Sequence, residues 1–143
     1  MAMSPAMTEA WLSLAQGLGK LRAAWPMGGW SWDNRLSCIT STFGTQFEAE
    51  ARAAAAMAMP VEWTATSLGK APTRIRDLAA KYGDVRPGQL LLTGGPVDGL
   101  FTFGLWWPWG NGHTISLRVG LADVDPHREP YQRFRELFGV DTG

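Results

Sequence analysis

Cysteine and long apolar runs are the features that this sequence has least of. Cys38 is the single cysteine among 143 residues, so the chain cannot form an internal disulfide and needs no oxidising compartment. No run of about 18 apolar residues is present to cross a membrane. The first residues, MAMSPAMTEAW, lack the basic and apolar segments of a signal peptide. We therefore expect a cytoplasmic protein.

An excess of either charge is also missing. Lysine and arginine together number 13, aspartate and glutamate also number 13, and the formal net charge is zero. Nucleic-acid binders gain much of their affinity by neutralising phosphates, and many proteins that bind membrane surfaces carry basic clusters. The charge balance therefore argues against nucleic acid and against a membrane as partners.

The composition is that of a folded domain. Hydrophobic residues make up 45% of the chain and charged residues 18%, and we expect one domain that spans residues 1–143. Alanine, glycine and arginine are abundant, which is typical of GC-rich bacterial genomes. On this association alone we expect a bacterial protein.

No motif for binding a metal or a nucleotide is recognisable, and neither is a catalytic motif. Gly28-Gly29 and Gly94-Gly95-Pro96 lack the lysine of a phosphate loop and the spacing of a dinucleotide-binding loop, so they are interpreted as turns. The segment DVDPH at 123–127 alternates acidic residues and histidine, but its second aspartate is better explained as a helix cap. We therefore expect no cofactor and no metal, and the catalytic residues, if any, stay unknown.

Periodic patterns predict an α+β fold. Apolar residues step by three and four from Met7 to Trp25, and shorter stripes lie within 47–58, 75–82 and 131–138, which predicts four helices. Strands are predicted at 36–43, 61–67 and 89–93, and the clearest strands are joined too closely for parallel crossovers. We therefore predict a mainly antiparallel sheet with a three-stranded meander in the C-terminal half and helices packed on one face.

The stretch Gly99–Asp123 has the pattern of a hairpin. Asn111-Gly112 favours a tight turn, because both central residues of a type I′ turn need positive φ. A two-residue turn there would pair Leu105 with Arg118 and mix apolar and polar faces. Shifting the pairing by one residue separates the faces, because side chains alternate along a strand. We therefore predict a bulge or a longer loop within Trp107–His113.

Three tryptophans beside this turn are the strongest indication of function. The shifted pairing would put Trp106 on the same face as Arg118, where another surface must cover the ring. Tryptophan and arginine are enriched at the energetic centres of interfaces. The predicted binding residues are Trp106, Trp107, Trp109, His113 and Arg118.

These residues favour a protein–protein interaction module, such as an adaptor, an accessory subunit or an immunity-type inhibitor. One alternative is a small enzyme or ligand-binding protein with an apolar pocket lined by tryptophan, in which His113 or Asp33 acts as acid or base. The other is a homodimer formed through the hairpin face or the first helix, whose apolar stripe has the spacing of a helix pair. The expected partner is thus another protein or a second copy of this chain.

Overall fold

The computed structural model describes residues 3–94 and 99–140. These residues form four α-helices: α1 Pro5–Ala24, α2 Glu48–Ala56, α3 Thr73–Lys81 and α4 Glu129–Leu137. They also form six strands: β1 Ser31–Asp33, β2 Cys38–Gly44, β3 Val61–Trp63, β4 Leu90–Thr93, β5 Thr102–Pro108 and β6 Thr114–Leu121. The predicted turn at Gly94-Gly95-Pro96 lies, apart from Gly94, outside the described residues.

The strands form an antiparallel sheet in the order β1-β2-β6-β5-β4-β3. The consecutive strands β4, β5 and β6 are neighbours, as expected for the predicted meander. The outermost strands, β1 and β3, have three residues each and so present little free edge. The α+β fold with an antiparallel sheet is confirmed.

The helices lie on both faces of the sheet, which differs from the prediction that they share one face. Helices α1, α2 and α4 pack with Phe43 and Leu117 in one core. Helix α3 packs with Leu91 and Phe103 in a second core on the other side. The central strands have apolar residues on both sides, as in the run Leu90–Leu92, and a strand of this kind needs cover on both faces.

Helix α1 contains nearly all of the predicted apolar stripe and begins at Pro5. The Ser4 hydroxyl caps it by accepting a hydrogen bond from the Met7 backbone nitrogen at 3.1 Å. Gly17 lies at the contact with the end of α2, where a Cβ atom would come within 3.1 Å of the Met57 carbonyl oxygen. Although α1 has 20 residues, neither it nor another helix within 3–94 and 99–140 is long and apolar enough to cross a membrane.

Strands β5 and β6 pair in the arrangement that the sequence analysis rejected. Leu105 pairs with Arg118, and the pairing continues without a bulge along the whole of β5. The Trp109 nitrogen donates to the Thr114 oxygen at 2.8 Å, which leaves Gly110–His113 as the loop. The predicted longer loop is therefore present, but the predicted one-residue shift is wrong. Adding one residue to each side of a turn lengthens the loop and leaves the pairing of the strands unchanged.

Candidate functional site

Trp106 belongs to the core of the protein. Its side chain is 2% exposed, and its ring centroid lies 5.4 Å from that of Phe43. In the observed pairing Trp106 is opposite Leu117, so the two residues share the face that α1, α2 and α4 cover. The prediction that Trp106 lies beside Arg118 and needs an outside cover is therefore wrong. The shifted register had put the ring on the opposite side of the sheet.

The other face of β5 becomes more exposed towards the hairpin turn. Phe103 is 0% exposed and Leu105 is 4% exposed, because α3 and its neighbours cover them. Trp107 is half-buried, and Trp109, two residues further on, is 50% exposed. Residues two apart on an extended chain point to the same side. We call Trp107, Trp109 and Arg118 the hairpin surface.

Arg118 lies over the Trp107 ring and is held there by polar contacts. The central carbon of its guanidinium group is 4.9 Å from the Trp107 ring centroid. Its Nε atom donates to Asp33 at 3.0 Å, and its Nη1 atom donates to Ser116 at 2.7 Å. The side chains of Arg118 and Asp33 are 18% and 14% exposed. This mostly buried ion pair therefore fixes the position of Arg118 and, through it, the Trp107 ring.

Asp33 is held in turn by the turn between β1 and β2. Its carboxylate accepts hydrogen bonds from the backbone nitrogens of Arg35 and Leu36 at 3.0 and 3.1 Å. Burial by itself would raise the pKa of Asp33, but the hydrogen bond and charge of Arg118, with the two backbone hydrogen bonds, hold this pKa below its ordinary value. Asp33 is therefore ionised at neutral pH and is a weak base, which suits a positioning role better than acid–base chemistry.

His113 is exposed in the hairpin loop. Its backbone nitrogen donates to the Asn111 side chain at 2.8 Å, and its carbonyl oxygen accepts from the Thr45 nitrogen at 3.0 Å. Within the described ranges its imidazole forms no hydrogen bond. His113 therefore contributes its backbone to the shape of the loop that presents Trp109.

Cys38 is not placed to act as a nucleophile. It is 0% exposed, and burial, assisted by the charge of Asp33, raises its pKa to about 12. Among the residues that the structure describes, no group of three or more histidine, cysteine, aspartate and glutamate side chains is arranged to hold a metal ion. Neither Cys38 nor a metal-binding group among the described residues gives a basis for assigning a catalytic role.

Two surface grooves in the described part of the chain are not lined by the hairpin tryptophans. A groove of about 630 Å³ lies between α1 and α4, with Trp11 in its wall. Another of about 290 Å³ is lined by 64–66 and 87–90, beside the end of β4 that pairs with Trp106. Trp106, Trp107 and Trp109 line neither of these grooves. The two grooves therefore do not support the alternative of a ligand pocket lined by the hairpin tryptophans.

The sequence analysis named Asp33 only as a candidate acid or base, not as the partner of Arg118, and it did not name Trp63 as a site residue. Asp33 is 85 positions from Arg118, so no local pattern indicates that the two form a pair. Trp63 on β3 lies in the same cross-strand row as Arg118, through the pairs with Leu91 and Leu105. Its indole nitrogen donates to the Thr93 hydroxyl at 3.1 Å. The alternation in 61–67 indicated that Trp63 is partly buried, but only the sheet order places it on this face.

Comparison of the chain with protein-family models, with curated proteins and with solved structures found no match. The hairpin surface is therefore interpreted from its own geometry.

Proposed function

We propose that this domain binds another protein through the hairpin surface. The observation that carries the proposal is the exposure of Trp109, which is 50% exposed at the turn, two residues after Trp107, whose ring lies beside Arg118. A tryptophan ring buries a large area on binding and loses little conformational entropy in doing so. Tryptophan and arginine are among the residue types enriched where alanine substitutions weaken interfaces most.

The rigidity of the hairpin also favours binding. The Asn111 side chain accepts from the backbone nitrogens of His113 and Thr114 at 2.8 and 3.1 Å, which closes the loop. The His113 carbonyl ties the loop to Thr45 at the start of the 3₁₀ turn before α2. A surface that is already ordered spends little free energy on ordering when a partner binds.

The partner is proposed to be a protein, and the domain to be an adaptor, an accessory subunit or an immunity-type inhibitor in a bacterial cytoplasm. The zero net charge is the support for a protein partner over nucleic acid or an anionic membrane. Arg118 keeps its Nη2 atom free of hydrogen bonds to the described residues, so it can donate to a carboxylate or a carbonyl oxygen on the partner.

Alanine substitutions test this proposal. We expect Trp109→Ala combined with Trp107→Ala to reduce co-purification of a specific partner by about tenfold or more, since residues at the centre of an interface contribute about 2 kcal/mol or more. The measurement is quantitative mass spectrometry of proteins that co-purify with the tagged chain from its own cells.

Leu12→Ala is the matched control, because Leu12 is 56% exposed and lies on α1, away from the hairpin. Partners retained by a folded Trp107→Ala/Trp109→Ala variant, or lost equally with Leu12→Ala, would contradict the proposal. Circular dichroism of each variant shows that the fold persists.

Self-association is the alternative, and the exposed Leu12 on α1 is the observation that favours it. Light scattering of the purified chain measures its mass directly. A dimer that Leu12→Ala converts to a monomer would assign the contact to α1 instead of the hairpin surface.

A further inference from the structure

A cavity of about 220 Å³ lies where three segments of the chain meet. These are the turn between β1 and β2, the C-terminal end of α3, and the connection from β6 to α4. Its polar lining consists of Arg35, Ser37, Lys81, Tyr82 and Tyr131. None of these residues belongs to the hairpin surface, so the cavity is a separate place for a ligand.

The charges at this cavity have one sign. Arg35 and Lys81 line it, and neither forms an ion pair with a carboxylate in the described part of the chain. Of the nearby acids, Asp33 pairs with Arg118 and Asp123 pairs with Arg74, while Asp84 and Asp125 are close to lining residues in sequence but do not line the cavity. Two cations without a carboxylate among the lining residues give the cavity a positive potential, which attracts an anion.

The hydroxyl of Tyr82 adds a neutral donor. Burial raises the pKa of Tyr82 to about 12, so the phenol keeps its proton at neutral pH. Its hydroxyl forms no hydrogen bond to another described residue. The Tyr131 hydroxyl, in contrast, is occupied by the Leu121 backbone, which it contacts at 2.9 and 3.2 Å. The polar groups of the cavity that stay free for a ligand are therefore mainly donors.

The remaining wall is apolar, and its shape is fixed. Leu36, Leu121, Val124 and Pro126 line it. Ser37 adopts a φ of 55°, in the left-handed region that residues other than glycine rarely occupy. The Asp33 carboxylate accepts hydrogen bonds from the backbone nitrogens of Arg35 and Leu36, and these bonds hold the turn in place. Because these contacts fix the turn, Arg35 stays beside the cavity.

We propose that this cavity binds a small organic anion, with a carboxylate held by Arg35, Lys81 and Tyr82 and an apolar body against Leu121 and Val124. A charge-assisted hydrogen bond is stronger than a neutral one, and the apolar wall selects against a small fully hydrated ion. The ligand class is thus a monocarboxylate with an aromatic or aliphatic body.

Titration of the ¹⁵N-labelled chain tests the proposal, with benzoate as the probe and benzamide and inorganic phosphate as comparisons. We expect benzoate to cause saturable amide shifts confined to 35–37, 81–82 and 121–126. Benzamide, which has the same body without the charge, is expected to bind about tenfold more weakly, and so is phosphate, which lacks the body.

Arg35→Gln and Lys81→Gln are each expected to weaken benzoate binding by about tenfold. Both side chains are exposed, so these substitutions leave the core intact. Lys70→Gln removes an exposed cation that does not line the cavity and is expected to leave binding unchanged.

Three outcomes would each overturn the proposal. The first is the absence of saturable shifts with benzoate, and the second is equal binding of benzamide or phosphate. The third is equal weakening by Lys70→Gln and Arg35→Gln. Trp109→Ala is expected to leave benzoate binding unchanged, so this test is independent of the protein-binding role of the hairpin surface.

Discussion

At the scale of single residues, the Asp33–Arg118 pair shows how polar side chains are accommodated on a largely apolar sheet face. Both side chains are mostly buried, and each has further hydrogen bonds, to Ser116 or to the backbone of 35–36. The attraction within such a pair offsets the cost of burying its charges, but removing one partner leaves a charge without compensation. The stability of the protein should therefore depend on Asp33 more than on an exposed acid.

Asp33→Asn is expected to lower the free energy of unfolding by about 1–3 kcal/mol at neutral pH. The pKa of Asp33 is lower in the folded chain than its ordinary value of 3.8, so its stabilisation is present above that value and is lost as the pH falls through the folded pKa. The difference between the two proteins should therefore shrink in strong acid. Urea unfolding of both proteins at neutral pH and near pH 3 measures this difference in the free energy of unfolding.

Asp77→Asn, on the exposed side of α3, is the control and should change the stability by no more than about 0.5 kcal/mol. A loss for Asp33→Asn that is equal at both pH values would show that the ionised carboxylate is not the source of the stabilisation.

Gly94 is a position where the fold has no room for a side chain. A Cβ atom at this position would overlap the carbonyl oxygen of Ala58, a backbone atom that cannot rotate away. We expect Gly94→Ala to lower the melting temperature, with a loss of about 1–3 kcal/mol from overpacking. Gly28→Ala is the comparison, because a Cβ atom there has open space, and equal melting temperatures for the two variants would contradict the close approach.

At the scale of elements, the strands and helices were more predictable than their placement. The apolar stripe from Met7 to Trp25 located α1, because this signal is local. The hairpin strands were also evident from alternation and from Asn111-Gly112. The pairing of these strands was not evident, because Phe103 and Leu105 on one face are as apolar as Ile115, Leu117 and Val119 on the other. Hydrophobicity cannot decide between two faces when both are buried.

The side of the sheet that each helix covers could not be predicted for the same reason. Helix α3 has its buried stripe of Ile75, Leu78 and Ala79, which would fit either face. The choice depends on the sheet order, which is set by pairings between distant segments such as β2 with β6. The site was affected in the same way, since the shifted register placed Trp106 on the face of Arg118, whereas the structure places Trp107 beside Arg118 and Trp106 on the other face.

The two tryptophans Trp106 and Trp109 should respond very differently to substitution. Trp106→Ala is expected to lower the free energy of unfolding by about 3–5 kcal/mol, because it empties a large volume in the core. Trp109→Ala should change it by no more than about 0.5 kcal/mol, since the ring is half exposed. Chemical denaturation of both variants measures the difference, and the opposite order would support the shifted register that we reject.

At the scale of the whole molecule, the sheet is covered by three helices on one face and by α3 on only part of the other. On the α3 side, exposure rises towards the hairpin end, from the buried Leu105 through the half-buried Trp107 to Trp109, which is 50% exposed. The proposed organic-anion cavity lies apart from the hairpin end, between the β1–β2 turn and the end of α3. The molecule thus offers two surfaces whose functions can be tested separately.

Photocrosslinking from position 109 in the cells that express the protein tests the central proposal most directly. The photoreactive residue p-benzoylphenylalanine replaces Trp109 in one variant and Leu12, which is exposed on α1, in the control. We predict a discrete crosslinked product with another protein from position 109 and none from position 12. Crosslinks from position 12 alone, or the same products from both positions, would contradict the assignment of the hairpin surface as the binding site.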